Sequence, residues 1–489
     1  MAVNQLLNKQ ISNSDNNEVT KTKIVKTDIG AQDGQNKCPS CGSTDISVNA
    51  KTGKLRCNFC RYEFEPEKIQ GMETDITKLQ GEILGSGAQD IVADTQTVMT
   101  FKCSSCGAEV VIDTSESTQA RCHWCRNTLS VNQQIPNGTI PDVVLPFNIT
   151  KQEAKQQIED FVGKRKFFAH PKFRQEFTTD NIMGVYFPYM VVDINSHAHF
   201  QGVGEHETKR YIRGLGDDKT TYYDADVYEV ERDFDLAIEG LTVESSSDKL
   251  KKQSNKTNNV INAIMPFDIE NSVKYNANYL KGYTSEKRDT NIEELRPIVD
   301  EQSKDIARFA ANETLTEYDR GVRWDKERLQ VKGKQWKTAY LPVWLYSYQQ
   351  KKGEQSIMHY VAVNARTKET MGSVPIHMPK LVGVSIGVEI LGILAMLLAD
   401  DFDYKGLFLL AGFIYFFIMF LKYRNSNARH QHETETKKKI LNLKKIDNFI
   451  RHETKLKNAK MSEANNTQVS NQDVTEKLLN TLNTFKDFK

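Results

Sequence analysis

No cysteine precedes Cys38 or follows Cys125 in this chain of 489 residues. A secreted disulfide scaffold spreads an even number of cysteines through a small domain, so this confinement argues against that class. Residues 1–36 lack an apolar core and are rich in Asn, Lys, Asp, Gln and Thr. No secretory signal is expected there, and the segment reads as a disordered leader. An excess of one charge is missing too: 65 Lys and Arg stand against 64 Asp and Glu. The basic surplus of a dedicated nucleic-acid binder is therefore absent. There is no P-loop, no HExxH and no nucleophile elbow, and no Ser/His/Asp or paired-carboxylate set stands out. The chain reads as a non-enzyme; an activity in its middle region would need a pocket of converging polar groups.

The cysteines form four CxxC pairs. Cys38, Cys41, Cys57 and Cys60 make one C-x2-C-x15-C-x2-C set, and Cys103, Cys106, Cys122 and Cys125 repeat it. A CxxC turn brings two thiolates to one metal, and two turns joined by a hairpin close a tetrahedron. The expectation is two structural Zn2+ ions, in ribbons at 37–65 and 101–131. Four thiolates leave no open coordination position, so hydrolytic zinc chemistry is not expected. Gly42 and Gly107 follow the first pair of each set, where the knuckle favours positive φ. His123, inside the second knuckle of its set, reads as a surface residue rather than a ligand. From 36 to 131 ten basic residues face twelve acidic ones. Lys54, Arg56, Arg61, Arg121 and Arg126, with Phe59 and Trp124 for stacking, still make nucleic acid an alternative partner to protein. The glycine-bearing stretch 66–100 reads as a linker.

From 140 to 378 the pattern predicts a soluble α+β region of two related halves, about 140–250 and 260–378. Leu145-Pro146-Phe147 opens the first, Thr150 and Glu153 form a capping-box pattern, and a helix follows. Val185–Val192 reads as a strand continuing towards Phe200. Met265-Pro266-Phe267, a helix within 292–320 capped by Thr290 and Glu293, and Ala339–Tyr346 repeat the order. His197 and His199 alternate on one strand near Glu205 and His206, which makes a metal site conceivable and a polar strand face the simpler reading.

Residues 381–399 and 406–421 are apolar runs separated by a short acidic turn, and they predict a transmembrane helical hairpin over 381–421. Lys380, Lys422 and Arg424 flank it, so both termini are expected in the cytoplasm, in agreement with reduced cysteines. Glu389 is the odd carboxylate in the first run, and Gly383 and Gly387 form a GxxxG suited to oligomerisation. Residues 422–460 carry twelve basic against four acidic residues, with an apolar stripe at Ile440, Leu443, Ile446, Phe449 and Ile450. They predict a basic amphipathic helix on anionic lipid. The tail 461–489 ends in a short amphipathic helix suited to a protein partner.

These features resemble a family of bacterial membrane-anchored proteins with TFIIB-type zinc ribbons, often labelled primosomal or replication proteins. The resemblance rests on the ribbons, Leu145-Pro-Phe147, Val185-Tyr-Phe-Pro188, Tyr340-Leu-Pro-Val-Trp344, and Val363-Asn-Ala-Arg-Thr-Lys368 with Gly372. Ala365 and Lys368 stand where the family's turn has glycines. The resemblance implies SPFH-type or phage-shock-type partners and a role in membrane stress. Together the expectation is a zinc-binding membrane adaptor that recruits proteins, with a membrane-tethered nucleic-acid-binding protein as the alternative.

Overall fold

The computed structural model describes residues 22–25, 38–43, 45–49, 52, 54–65, 72–91, 98–102, 109–113, 119–121, 128–130, 140–213, 220–245, 262–280, 283–285, 288, 290–352, 355–398, 405–425 and 430–456. The chain first gives β1 (Lys23–Val25), β2 (Ile46–Val48), β3 (Leu55–Cys57), β4 (Glu63–Phe64) and β5 (Gly81–Gly85). Two short hairpins follow, β6 (Val98–Lys102) with β7 (Glu109–Asp113) and β8 (Gln119–Arg121) with β9 (Thr128–Ser130). Next come β10 (Val143–Val144), α1 (Lys151–Gly163), α2 (Pro171–Glu176), β11 (Met183–Arg213) and β12 (Thr220–Glu244). After β13 (Val273–Lys274) and β14 (Thr284–Ser285) the chain forms α3 (Ile292–Asn312), β15 (Val322–Lys352), β16 (Gln355–Asn364) and β17 (Thr370–Gly372). It continues with α4 (Met378–Leu398), α5 (Ala411–Arg424), α6 (His432–Glu435) and β18 (Lys437–Leu456).

Eleven strands join one sheet whose main path runs β1-β5-β15-β11-β12-β18. Its spine is β11, β12 and β15, of 31, 25 and 31 residues, paired antiparallel. Side chains alternate across a strand, so one sequence serves two cores. On β11, Met190, Val192 and Ile194 face α3 with Phe234, Leu236 and Trp336. Phe187, Tyr189 and Val191 face the other way, onto Leu341, Val343 and the Ile264–Phe267 segment. A third cluster joins α1 to Trp344, to Leu381, Phe420 and Tyr423 at the base of α4 and α5, and to Ile46 and Leu55 of the first ribbon.

Several local readings hold. The Thr150 hydroxyl accepts the Glu153 N–H while the Glu153 carboxylate accepts the Thr150 N–H at 2.9 Å, the reciprocal pair of a capping box. The turn at 364–368 forms without its glycines. Lys368 takes φ +68, and Asn364 Oδ1 accepts the N–H groups of Arg366 and Thr367 at 2.9 and 3.1 Å.

The expected fold class does not hold. The molecule is mostly β sheet with six α-helices among the described residues, and the two proposed halves are not separate α+β units. Strand β11 of the first pairs with β15 of the second from Met183 to Gly204, so backbone hydrogen bonding crosses the division. The transmembrane hairpin is not borne out either. Among the described residues one helix, at Met378–Leu397, is long and apolar enough to cross a membrane. Its companion is a 3-10 turn over Lys405–Leu410 followed by a 14-residue helix, about 21 Å at 1.5 Å per residue, short of a hydrocarbon core of about 30 Å.

Three smaller corrections share one cause, pairing that the local pattern does not announce. The 66–100 linker contains β5, which lies parallel to β15, and the leader contributes β1 alongside β5. The basic segment after α5 is the strand β18 rather than an amphipathic helix, because β12 satisfies its backbone over 17 registered pairs. A register shift at Asp233/Asp235 puts Ile440 and Leu443 on one face, against the α3 core, whereas Ile446, Phe449 and Ile450 are exposed and form no common stripe. The capping box of α3 uses Asn291 and Glu294, one residue beyond Thr290 and Glu293. The terminal helix expected in 461–489 lies outside the described residues.

Candidate metal centre and the exposed helix

The first ribbon is a three-stranded sheet, β2-β3-β4, with Ile46 opposite Cys57 and Val48 opposite Leu55. Each CxxC closes as a knuckle: the Gly42 N–H donates to the Cys38 carbonyl at 2.8 Å and the Arg61 N–H to the Cys57 carbonyl at 2.9 Å. Gly42 takes φ +73 as its position requires, and Arg61 takes φ +66 at the equivalent place without glycine's freedom. Asn58 locks the second knuckle: its Nδ2 donates to Asp45 Oδ1 and its Oδ1 accepts the Ser47 hydroxyl, both at 2.9 Å.

Cys38, Cys41, Cys57 and Cys60 therefore converge, with all four Sγ atoms within 4.8 Å of one another. Cys38 to Cys60 is 3.5 Å and Cys41 to Cys57 is 3.6 Å. A disulfide needs about 2.05 Å, whereas a tetrahedron with arms of about 2.3 Å has edges of about 3.8 Å. The donor set fits one metal ion. Its electrostatics point the same way. Cys57 accepts the Cys60 backbone N–H, and this bond, with help from the Phe59 N–H and Cys41, brings its thiol down to about 6 despite desolvation. At Cys41 the Ser43 N–H pulls downward, but desolvation and the three neighbouring thiols override it and push the group up to about 12. Four sulfurs this close cannot all ionise unless a cation replaces their protons.

Cys103, Cys106, Cys122 and Cys125 of the repeated set, like Gly107 and His123, lie outside the described residues. The basic patch expected on the first ribbon is largely spent: Lys54 pairs with Glu65 at 2.8 Å and Arg56 lies 4.0 Å from Glu63. What stands clear on this ribbon is aromatic, with Phe59 79% and Tyr62 49% exposed. The conceivable histidine site dissolves into a ladder of ion pairs. His197 Nδ1 meets Asp235 at 3.0 Å and Nε2 meets Asp233 at 3.2 Å, while Lys332 and Lys444 take the same carboxylates. Among the described residues only the four cysteines cluster closely enough for a metal.

A cavity of about 370 Å³ opens on the sheet where Asp193, Gln335 and Lys337 meet Phe267 and Lys437. Its polar groups serve one another: Asp193 accepts the Gly240 N–H, the Gln335 amide and the Lys337 ammonium at 2.9, 3.2 and 2.9 Å. This arrangement ties three strands together.

Helix α4 is apolar apart from Lys380, Ser385 and Glu389 and mostly uncovered, with Val382, Ile386, Ile390, Leu391, Leu394 and Leu397 exposed. α5 packs against it antiparallel. The contact runs through Gly392 and Gly412, where an added Cβ would lie 2.5 Å from the Phe408 carbonyl and 2.3 Å from the Ser385 carbonyl. Gly383 and Gly387, the expected GxxxG face, look into open space. Glu389 also finds its place: its Oε2 accepts the Gly412 N–H at 2.7 Å, at the first turn of α5, where a helix's unpaired N–H groups favour an anion. Sequence reasoning missed this cap because its acceptor comes from the other helix.

No family model matches the chain and no solved structure matches it. The chain is similar to the uncharacterized protein YdjG of Bacillus subtilis (strain 168), 26% identical over 356 residues that span 72% of this chain and 93% of that relative.

Proposed function

We propose that the protein is a membrane-associated, zinc-stabilised adaptor that holds a protein-binding ribbon beside a lipid surface and catalyses no reaction. The observation that carries this reading is the run of exposed apolar side chains along α4, from Val382 to Leu397. Water does not favour so long a contiguous apolar surface, and the hydrocarbon of a bilayer does. Reduced thiolates suit the cytoplasmic side. The ribbon shares a core with the base of α4 through Ile46, Leu55 and Leu381, so it is held at the body rather than tethered loosely. Phe59 and Tyr62 are its free surface, and aromatic side chains of this kind anchor protein interfaces. SPFH-type and phage-shock-type membrane proteins, implied by the family resemblance, are the first partners to try. The paired state of Lys54 and Arg56 weighs against nucleic acid.

Zinc is the ion that four thiolates in a closed tetrahedron select, and the repeated spacing adds a second ion at Cys103, Cys106, Cys122 and Cys125. Elemental analysis of the purified full chain is expected to give two zinc ions, and one after Cys57→Ser. Pelleting of lysate membranes is expected to carry the protein down and to retain it through a high-salt wash. Recovery in the supernatant would refute the membrane reading.

A further inference from the structure

At one end of the α4–α5 pair, a short loop after α1 holds both helices to the body. The Phe168 carbonyl accepts the His377 N–H at 2.8 Å, just ahead of α4. The Phe168 N–H donates to the Tyr423 hydroxyl at 2.9 Å, and Arg165 Nε donates to the Lys422 carbonyl at 3.1 Å, in the last turn of α5. Arg165 also stacks on Phe161 and donates to Asn425 Oδ1 at 2.9 Å. The buried residues of the loop thus fix its position at the root of the apolar helices.

Its remaining residues face outward. Phe167 is 59% exposed, its ring meeting the buried Phe168 edge-on at 4.7 Å and otherwise facing out, while Lys164 and Lys166 are exposed on either side of the clamped Arg165. Lys380 lies over the Phe167 ring with Nζ 3.7 Å from its centre and donates to the Phe167 carbonyl at 2.8 Å. Lys422 is exposed where Arg165 grips its carbonyl. Two other lysines close to the same loop in the chain or fold do meet carboxylates, Lys155 with Asp180 and Lys368 with Glu153. Among the described residues these four ammonium groups have no carboxylate within ion-pair distance. Four uncompensated cations and one exposed aromatic ring encircle the place where an apolar helix leaves the body.

We propose that Lys164, Lys166, Phe167, Lys380 and Lys422 form a collar that contacts the headgroups of anionic phospholipids in a bilayer. The inference rests on the membrane reading of α4 and adds the lipid class and the residues that select it. Phe167 belongs at headgroup depth, where amphipathic and aromatic side chains collect. The lysine stems lie along the apolar surface while their ammonium groups reach phosphate. Juxtamembrane lysines gain about 1 kcal/mol each from an anionic surface, and the gain is screened by salt.

The test uses the full chain reconstituted in vesicles of phosphatidylcholine alone or with phosphatidylglycerol, followed by amine footprinting with mass spectrometry. Lys164, Lys166, Lys380 and Lys422 are expected to react several-fold more slowly in the anionic vesicles than in phosphatidylcholine, while Lys78 and Lys444 react equally in both. Lys164→Gln with Lys166→Gln is expected to weaken association with anionic vesicles roughly 25-fold at low salt, two lysines at about tenfold per 1.4 kcal/mol, and to leave phosphatidylcholine vesicles unaffected. Equal reactivity in the two vesicle types overturns the collar and leaves the membrane reading standing. Protection reproduced in detergent by inorganic phosphate overturns its assignment to a bilayer. Failure to float with either vesicle overturns the membrane reading and the collar with it.

Discussion

Helices α3 and α4 have the same length, 21 residues, and opposite fates. α3 is amphipathic: Ile292, Leu295, Val299, Ile306, Ala307, Ala310 and Ala311 turn inward onto the sheet, and Glu293, Glu301 and Lys304 turn outward. α4 offers apolar side chains all round, and only one flank meets α5. A striped helix of period 3.6 has its partner written into it, whereas a uniformly apolar one names only the medium it needs. The same contrast appears in their termini. α3 is capped by its own neighbours, Asn291 N–H donating to Glu294 Oε1 at 3.3 Å, while α5 is capped by Glu389 from α4.

The comparison can be broken most directly by truncation. Leu295→Ala is expected to lower stability by about 2–5 kcal/mol in urea unfolding of the detergent-solubilised chain, because its site is closed on every side. Leu394→Ala, at a side chain 50% exposed, is expected to change it by less than about 0.5 kcal/mol. Comparable losses would mean that α4 is covered by protein. Next in size, Leu394→Asp is expected to disfavour membrane partition by about 3–4 kcal/mol, read as protein released from pelleted membranes. Retention of the aspartate variant would place the exposed face of α4 outside lipid.

Glycine substitutions sharpen the picture of the helix pair. Gly412→Ala must displace the Ser385 carbonyl or Glu389 and is expected to destabilise by about 1–3 kcal/mol. Gly387→Ala meets nothing and is expected to stabilise α4 by up to about 1 kcal/mol. The reverse ranking in thermal melts would reinstate the GxxxG face. Smallest is Asn291→Ala, which removes both the α3 cap and the Oδ1 that accepts the Ile91 N–H at 2.7 Å: it is expected to lose about 1 kcal/mol, and an unchanged melting curve would assign the end of α3 to packing alone.

Much of the chemistry was legible because it is local. The cysteine spacing places four sulfurs around a common point, Gly42 marks a positive φ, and Thr150 with Glu153 marks a helix start. The sheet was not legible because its pairings are remote. β5 joins β15 across some 250 residues of chain, and the three-residue spacing of Ile440, Leu443, Ile446 and Phe449 looks helical although β12 pairs that segment as a strand. Arg61 and Lys368 adopt left-handed backbones that neither residue type suggests.

By itself the sequence determined that the four cysteines of the first ribbon converge and that one of its two apolar runs, at 381–399, is long enough to cross a membrane, since both depend on residue types at short spacing. Only the tertiary structure decided that one sheet runs through both expected halves, that Glu389 caps a neighbouring helix, and that lysines from three separate segments gather at the root of α4. Hydrogen bonds between distant strands and the close approach of two helices over glycine carry those choices, and neither leaves a periodic mark in the chain.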